Sequence, residues 1–238
     1  MTSEPIGKRV ASRDWQDLEA QLDADAHGLL PQLLEANECV ELTALYAEER
    51  HFRKRVVMAR HNFGRGEYKY FRDPLPRLVR SLRSAFYPRL VSIANRWNVE
   101  LSLEDTYPAR YADYLARCAA TGQTEPTPLL LRYGPGDYNC LHQDLYGDNT
   151  FPLQVAVLLS EPVRDFSGGE FVLTEQRPRM QSRPMVVPLH RGDAVVFPVH
   201  HRPVLGKRGY YRVQLRHGVS PLRSGERTTL GVIFHNAT

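Results

Sequence analysis

Cysteine is scarce in this chain: Cys39, Cys118 and Cys140 are the only three in 238 residues. Three thiols at irregular spacing exclude a disulfide framework and a thiolate zinc site. Cys140, two positions before a histidine, reads as a packed small hydrophobe. No apolar run approaches the roughly 18 residues that a membrane-spanning helix needs. The opening stretch MTSEPIGKRVASRDWQ lacks the apolar centre of a signal peptide, so the expectation is a cytoplasmic protein with no membrane partner. Linkers rich in Gly or Ser, internal repeats and low-complexity tails are also missing, which excludes solenoids and tethered modules. What remains is 42% hydrophobic and 24% charged, the composition of an ordinary globular domain.

Charge is present but unevenly spread. Residues 1–50 hold four Lys/Arg against eleven Asp/Glu, residues 51–96 twelve against two, and the rest fifteen against fourteen. A block as dense as 51–96 is a candidate footprint for a polyanion. Basic and aromatic residues interleave within it. Arg53, Lys54, Arg55, Arg60, Arg65 and Lys69 are candidate phosphate contacts, and Phe63, Tyr68 and, further on, Tyr138 are candidate stacking surfaces for a base. The competing reading is a solvated face that compensates the acidic helices beside it.

Residues 1–124 read as a mainly helical N-terminal support region. Helices are predicted over 14–26 and from Leu30 to about Glu49. A third follows the stripe Leu75, Leu78, Val79, Leu82, Phe86 and Leu90, with Arg77 and Arg80 opposite it, Arg83 on its flank and a kink at Pro88. Short strands are expected near 55–60 and 67–71. From residue 125 the character changes to short β-rich runs separated by Gly, Pro, Asn and Asp: 129–133, 139–144, 153–159, 170–174, 185–189, 194–198, 211–216 and 229–234. Eight such runs match a jelly roll, so the fold class is mainly β: a double-stranded β-helix over 125–238, flanked by α-helices and forming one unit with them.

Chemistry concentrates in His142-Gln143-Asp144 and in His217, which is followed ten residues later by Arg227. On an extended strand end His142 and Asp144 project to one face, because the side-chain period is two. With a distant third histidine they form a 2-His-1-carboxylate set, the arrangement suited to a non-haem Fe(II) oxygenase. His217 is preferred over its rivals His200 and His201 because an arginine opens the strand after it. A fixed guanidinium holds a carboxylate in a bidentate pair, so Arg227 points to 2-oxoglutarate as co-substrate, with O2 at the metal.

At this point the second half, roughly 125–238, resembles the Fe(II)- and 2-oxoglutarate-dependent dioxygenase superfamily. Arg132-Tyr133-Gly134-Pro135-Gly136 through Leu141-His142-Gln143-Asp144 is similar to AlkB-type alkylated-DNA repair enzymes. Phe166-Ser167-Gly168-Gly169-Glu170-Phe171, Gly192-Asp193-Ala194, His217-Gly218-Val219 and Gly225-Glu226-Arg227 look more like the prolyl-hydroxylase branch. The whole chain is most similar to a bacterial family of oxygenases for oxidative demethylation of damaged nucleic acid. The resemblance implies His142, Asp144 and His217 as iron ligands, Arg227 as partner of the distal carboxylate and Tyr133 as a co-substrate contact. Two positions depart from the repair enzymes: Ile233 stands where they carry a second arginine, and Leu131 where they carry an asparagine. The function implied is oxidative dealkylation of DNA or RNA bases, with a prolyl-hydroxylase-like protein or small-molecule hydroxylase as the alternative.

Overall fold

The structure, a computed structural model, describes residues 4–238; residues 1–3, where the expected N-terminal region begins, lie outside the described residues. Two antiparallel sheets face each other. The major sheet has seven strands in the order β1 (Gly28–Leu30), β11 (Ala194–Pro198), β7 (Leu153–Leu158), β15 (Arg227–Val232), β5 (Leu129–Tyr133), β4 (Glu67–Phe71) and β2 (Phe52–Val57). The minor sheet runs β10 (Arg183–Val187), β9 (Phe171–Gln176), β13 (Gly209–Val219), β6 (Tyr138–His142) and β3 (Gly64–Arg65), with β12 (His201–Gly206) paired to the first part of β13. A small ribbon of β8 (Phe166–Gly168) and β14 (Leu222–Gly225) closes one end. This is the double-stranded β-helix. The N-terminal region feeds it directly, since β1, β2 and β4 belong to the major sheet and β3 to the minor one.

The helices α1 (Ile6–Ala11), α2 (Trp15–Asp25), α3 (Ala36–Ala44), α4 (Arg77–Glu100) and α5 (Tyr111–Ala120) surround this framework. Alternation along the strands decides what each side chain faces. On β15, Leu230 and Val232 join the large core formed with Leu82, Phe86, Leu90 and Trp97 of α4. Arg227, Thr229 and Gly231 point the other way, into the space between the sheets. On β7, Leu153, Val155 and Val157 belong to the helix-side core and Ala156 and Leu158 to the inter-sheet core. Both faces of β7 are covered, which is why it reads as an almost continuous apolar run.

Several local expectations change. Asp14 caps α2 by accepting from the Asp17 amide, as its position suggests. The helix expected over Leu30–Glu49 contracts to α3, because Gly28–Leu30 is taken up as an edge strand against β11. Helix α4 runs through Pro88, and Arg83 lies in its buried face, where its guanidinium donates to the Phe234 carbonyl at 2.8 Å and to Asn236 Oδ1 at 3.0 Å. Cys140 is exposed, because its side chain lies on the outer face of β6.

Candidate active site

Strands β6 and β13 pair with His142 opposite His217 in register. One ligand atom each from His142, Asp144 and His217 lies within 4.8 Å of the others. Nε2 of His142 stands 3.5 Å from Asp144 Oδ1, and Nε2 of His217 stands 3.3 Å from Asp144 Oδ2. Facial ligands of one metal at ordinary bond lengths sit on the order of 3 Å apart, so the three fit a single ion. Nδ1 of His142 contacts the Cys140 carbonyl at 2.8 Å. When that nitrogen carries the proton, Nε2 is left with its lone pair free for a metal.

Two neutral donors hold the carboxylate between the rings. Tyr146 Oη donates to Asp144 Oδ1 at 2.8 Å, and Gln154 Nε2 donates to Oδ2 at 3.0 Å. Burial alone would raise the Asp144 pKa, but the facing His142 and His217 rings hold it well below the usual carboxylate range. Tyr70 Oη extends the chain to Tyr146 Oη at 3.1 Å. Neither Gln154 nor Tyr146 was singled out from the sequence. The available signal was a glutamine inside the apolar run Leu153–Leu158.

The three side chains open into a cavity of ≈ 200 Å³ that is also lined by Tyr133, Asn139, Gln154 and Arg227. Arg227 pairs in register with Tyr133 on β5, and its guanidinium lies 5.7 Å from the Tyr133 ring centroid and 5.9 Å from that of Phe166. It is 2% exposed. Nη1 donates to Thr229 Oγ1 at 2.6 Å, Nε has no partner, and among the described residues no carboxylate is within ion-pair distance. Burial pushes its pKa down to about 10. A buried guanidinium without an anion is costly, and a carboxylate entering the cavity relieves that cost. Gly169, with φ +65°, belongs to this arrangement, since a Cβ there would stand 2.3 Å from Leu222 Cδ1 and 3.0 Å from Arg227 Cδ. Gly169 therefore makes room for Leu222 and Arg227, whereas a Cβ at Gly168 would meet the Pro221 carbonyl just before β14.

The remaining sequence candidates divide. Phe63 and Tyr68 line the cavity, with Phe63 47% exposed at the mouth and stacked on His61 at 5.3 Å. Arg65 pairs in register with Tyr138, and Arg60, Arg65 and Lys54 are exposed. Lys69 is buried, with Nζ donating to the Tyr46 carbonyl at 2.9 Å and to Glu49 at 2.6 Å; a phosphate cannot reach it. Arg55 is bound to Glu67, and Arg53 donates to the Pro126 carbonyl and faces Glu125. Arg53, Arg55 and Lys69 are thus engaged within the molecule, and Lys54, Arg60 and Arg65 are left facing solvent. His200 and His201, the rival ligands, meet edge-to-face at the start of β12, outside the cavity.

A family of oxygenases described as catalysing oxidative methylation of damaged DNA matches residues 66–237. The chain belongs to this oxygenase family. An uncharacterised protein of Mycobacterium tuberculosis (strain H37Rv) is 49% identical over 167 residues, 70% of this chain and 72% of that relative. Among solved structures, a Pseudomonas putida prolyl-4-hydroxylase is 14% identical over 94% of this chain and 99% of its own, with TM-score 0.57. A 2OG-Fe(II) oxygenase family member from Burkholderia pseudomallei is 19% identical over 95% and 94%, with TM-score 0.53. At these identities the structural likeness is one of fold. Family membership and the donor set together make the protein a non-haem Fe(II) dioxygenase that uses 2-oxoglutarate. Among the described residues no helix is long and apolar enough to cross a membrane.

Proposed function

We propose that this dioxygenase acts on damaged nucleic acid and removes an alkyl group oxidatively from a base. The observation that carries the catalytic part is the buried guanidinium of Arg227, without a carboxylate partner, in the same cavity as the three metal ligands. His142, Asp144 and His217 hold Fe(II); Arg227 and Tyr133 receive the distal carboxylate of 2-oxoglutarate. Fe(II), 2-oxoglutarate and O2 bound there would supply the oxidising power for C–H hydroxylation, one oxygen atom going to the C–H bond and the other to succinate as CO2 is lost. An N-methyl group hydroxylated in this way breaks down to formaldehyde and the repaired base.

The chain's own contribution is position and exclusion. Tyr146 and Gln154 fix both oxygens of Asp144, and apolar walls that include Leu129, Ala156, Phe197 and Val219 keep water from the reacting centre. Support for a nucleic-acid substrate comes from the description of the family and from the mouth of the cavity. Phe63 offers an exposed aromatic face beside the opening, and the exposed Arg60 and Arg65 flank it on either side in sequence. An unpaired or flipped base stacks on such a surface while its phosphates meet the cations.

The test is a 2-oxoglutarate turnover screen with Fe(II) and ascorbate across methylated oligonucleotides, peptides and free amino acids, read by product mass. Demethylated oligonucleotide with stoichiometric succinate is expected. Hydroxylated peptide or amino acid, with no change in any oligonucleotide, would replace the nucleic-acid reading by the hydroxylase one.

A further inference from the structure

The second half of the chain looks neutral in bulk, yet residues 171–219 contain nine Lys/Arg and only Glu175 and Asp193 as acids. Both acids are buried and engaged. Glu175 is bound to Arg202 and Arg177, and Asp193 accepts from the amides of Gln32 and His190. Arg177, Arg183 and Arg202 share Glu175, and Arg191 faces Glu161, which leaves Arg179, Lys207, Arg208, Arg212 and Arg216 without an ion pair among the described residues.

Strand alternation places them. On β13, Val213, Leu215 and His217 point inward and are buried, so Arg212, Gln214 and Arg216 face out. The register sets Thr174 of β9 beside Arg216, and Gln176 of β9 and His201 of β12 beside Gln214. The outward positions of β9, β10, β12 and β13 include no acid. Arg212, Arg216, Arg179, Lys207 and Arg208 are exposed, and none has an ion pair among the described residues. A depression of ≈ 380 Å³ on this face is lined by Arg177, Arg179, His201 and Arg212 together with Gln176 and Gln214. At its border, Glu100 and Asp105 are held by Arg96 and Arg117, while Asp148 lines the neighbouring hollow.

The same face continues to the mouth of the active site. Asn139 of β6 is opposite Val219 and lines the cavity, so its neighbour Tyr138 and the paired Arg65 of β3 lie on the outer side. Levels 208, 212 and 216 of β13 and its turn each carry an arginine, and Arg65 stands about level with residue 220. Four residues of strand span about 13 Å, so the row extends roughly 40 Å.

Building on the nucleic-acid reading above, we infer that this outward face of the minor sheet is a phosphodiester-binding track. It takes the backbone of single-stranded nucleic acid flanking the base held at the mouth. Regularly spaced arginines without ion pairs match a chain that bears one negative charge per nucleotide, and the exposed acid at the end of the row, Glu170, is bound to Ser220. In the dense 51–96 block Arg53, Arg55, Lys69 and Arg96 are held in ion pairs, and the exposed Arg77 and Arg80 stand on α4, away from the strands of this face.

The experiment measures binding of a fluorescent single-stranded oligonucleotide at several salt concentrations to full-length wild type and three paired variants. Arg212→Gln with Arg216→Gln is expected to weaken binding at least tenfold and to flatten the log–log salt slope by about 1.4 units. Arg77→Gln with Arg80→Gln, the same charge change on the exposed side of α4, should leave both unchanged. Thermal unfolding checks that each variant is folded. An equal effect of the two pairs would mean unspecific charge and overturn the track. Loss confined to Arg60→Gln with Arg65→Gln would also overturn it while leaving the proposed function standing. Competition by poly-glutamate as strong as by oligonucleotide would assign the face to an acidic protein instead. If wild type binds no oligonucleotide and turns over none, the proposed function falls and the track with it.

Discussion

Two arginines are almost completely buried in opposite parts of the same barrel, and they are handled in opposite ways. Arg202 on β12 is 1% exposed, donates to Glu175 at 2.5 Å and to the Asp23 carbonyl at 2.7 Å. Arg227 on β15 is 2% exposed and has only the Thr229 hydroxyl. Each leaves Nε without a partner, so the difference is the carboxylate. Around Arg202 the chain supplies its own anion and the region is finished. Around Arg227 the chain supplies no anion, and the three proposed metal ligands share that cavity. The contrast separates a buried cation whose anion belongs to the fold from a buried cation that has none among the described residues.

The largest expected effect tests whether the Arg227 end is a metal site at all. His142→Ala or Asp144→Ala should abolish Mn(II) or Co(II) binding and Fe(II)-dependent succinate formation while circular dichroism stays native. Metal affinity like that of wild type in either variant would break the comparison at its root.

Next comes the Arg202 end. Arg202→Ala leaves Glu175, 2% exposed, without its main buried partner. Breaking a buried pair from one side costs about 3–5 kcal/mol, read by urea unfolding. Affinity for 2-oxoglutarate should be untouched. Arg227→Ala should do the reverse: little loss of stability, since no protein carboxylate is orphaned, but about 2–5 kcal/mol lost from 2-oxoglutarate binding. Arg223→Ala, at an exposed position on β14, should change neither. If Arg227→Ala and Arg202→Ala have the same profile, the two arginines are not different in kind.

How much of this was legible in the sequence depends on the range of the interaction. His142 and Asp144 could be placed on one face from strand period alone, and the jelly-roll strands 129–133 and 194–198 fall where their apolar runs are. Edge strands β1, β3 and β12 were not legible, because their existence depends on a partner distant in sequence or on a hairpin read as a loop. Which cations of the basic block stay free was not legible for the same reason. Lys69 is neutralised by Glu49, and Arg96 by Glu19 and Asp23 on α2, pairings that composition does not reveal. The converse error hid the minor-sheet arginines, whose only sequence neighbours of opposite sign are folded away beneath them.

The smallest expected effect concerns the carboxylate of the metal site and sharpens the comparison further. Glu175 is held by cations: burial opposes its ionisation, but Arg177 and Arg202 keep its pKa below the ordinary value. Asp144 instead receives hydrogen bonds from two neutral side chains, Tyr146 and Gln154. A cation in their place would compete with the metal for the charge of Asp144, whereas a phenol and an amide orient the carboxylate without cancelling it. Tyr146→Phe or Gln154→Leu should therefore weaken Co(II) affinity by about tenfold and shift the visible absorption of the bound ion. Thermal stability should move little, because Phe keeps the ring and Leu the volume. Tyr146→Phe removes the donor to Oδ1 and Gln154→Leu the donor to Oδ2, so the spectral shifts should differ between the two. Unchanged Co(II) spectra and affinities in both variants would mean that the neutral clamp serves only packing, and the distinction between the two buried carboxylates would not extend to their function.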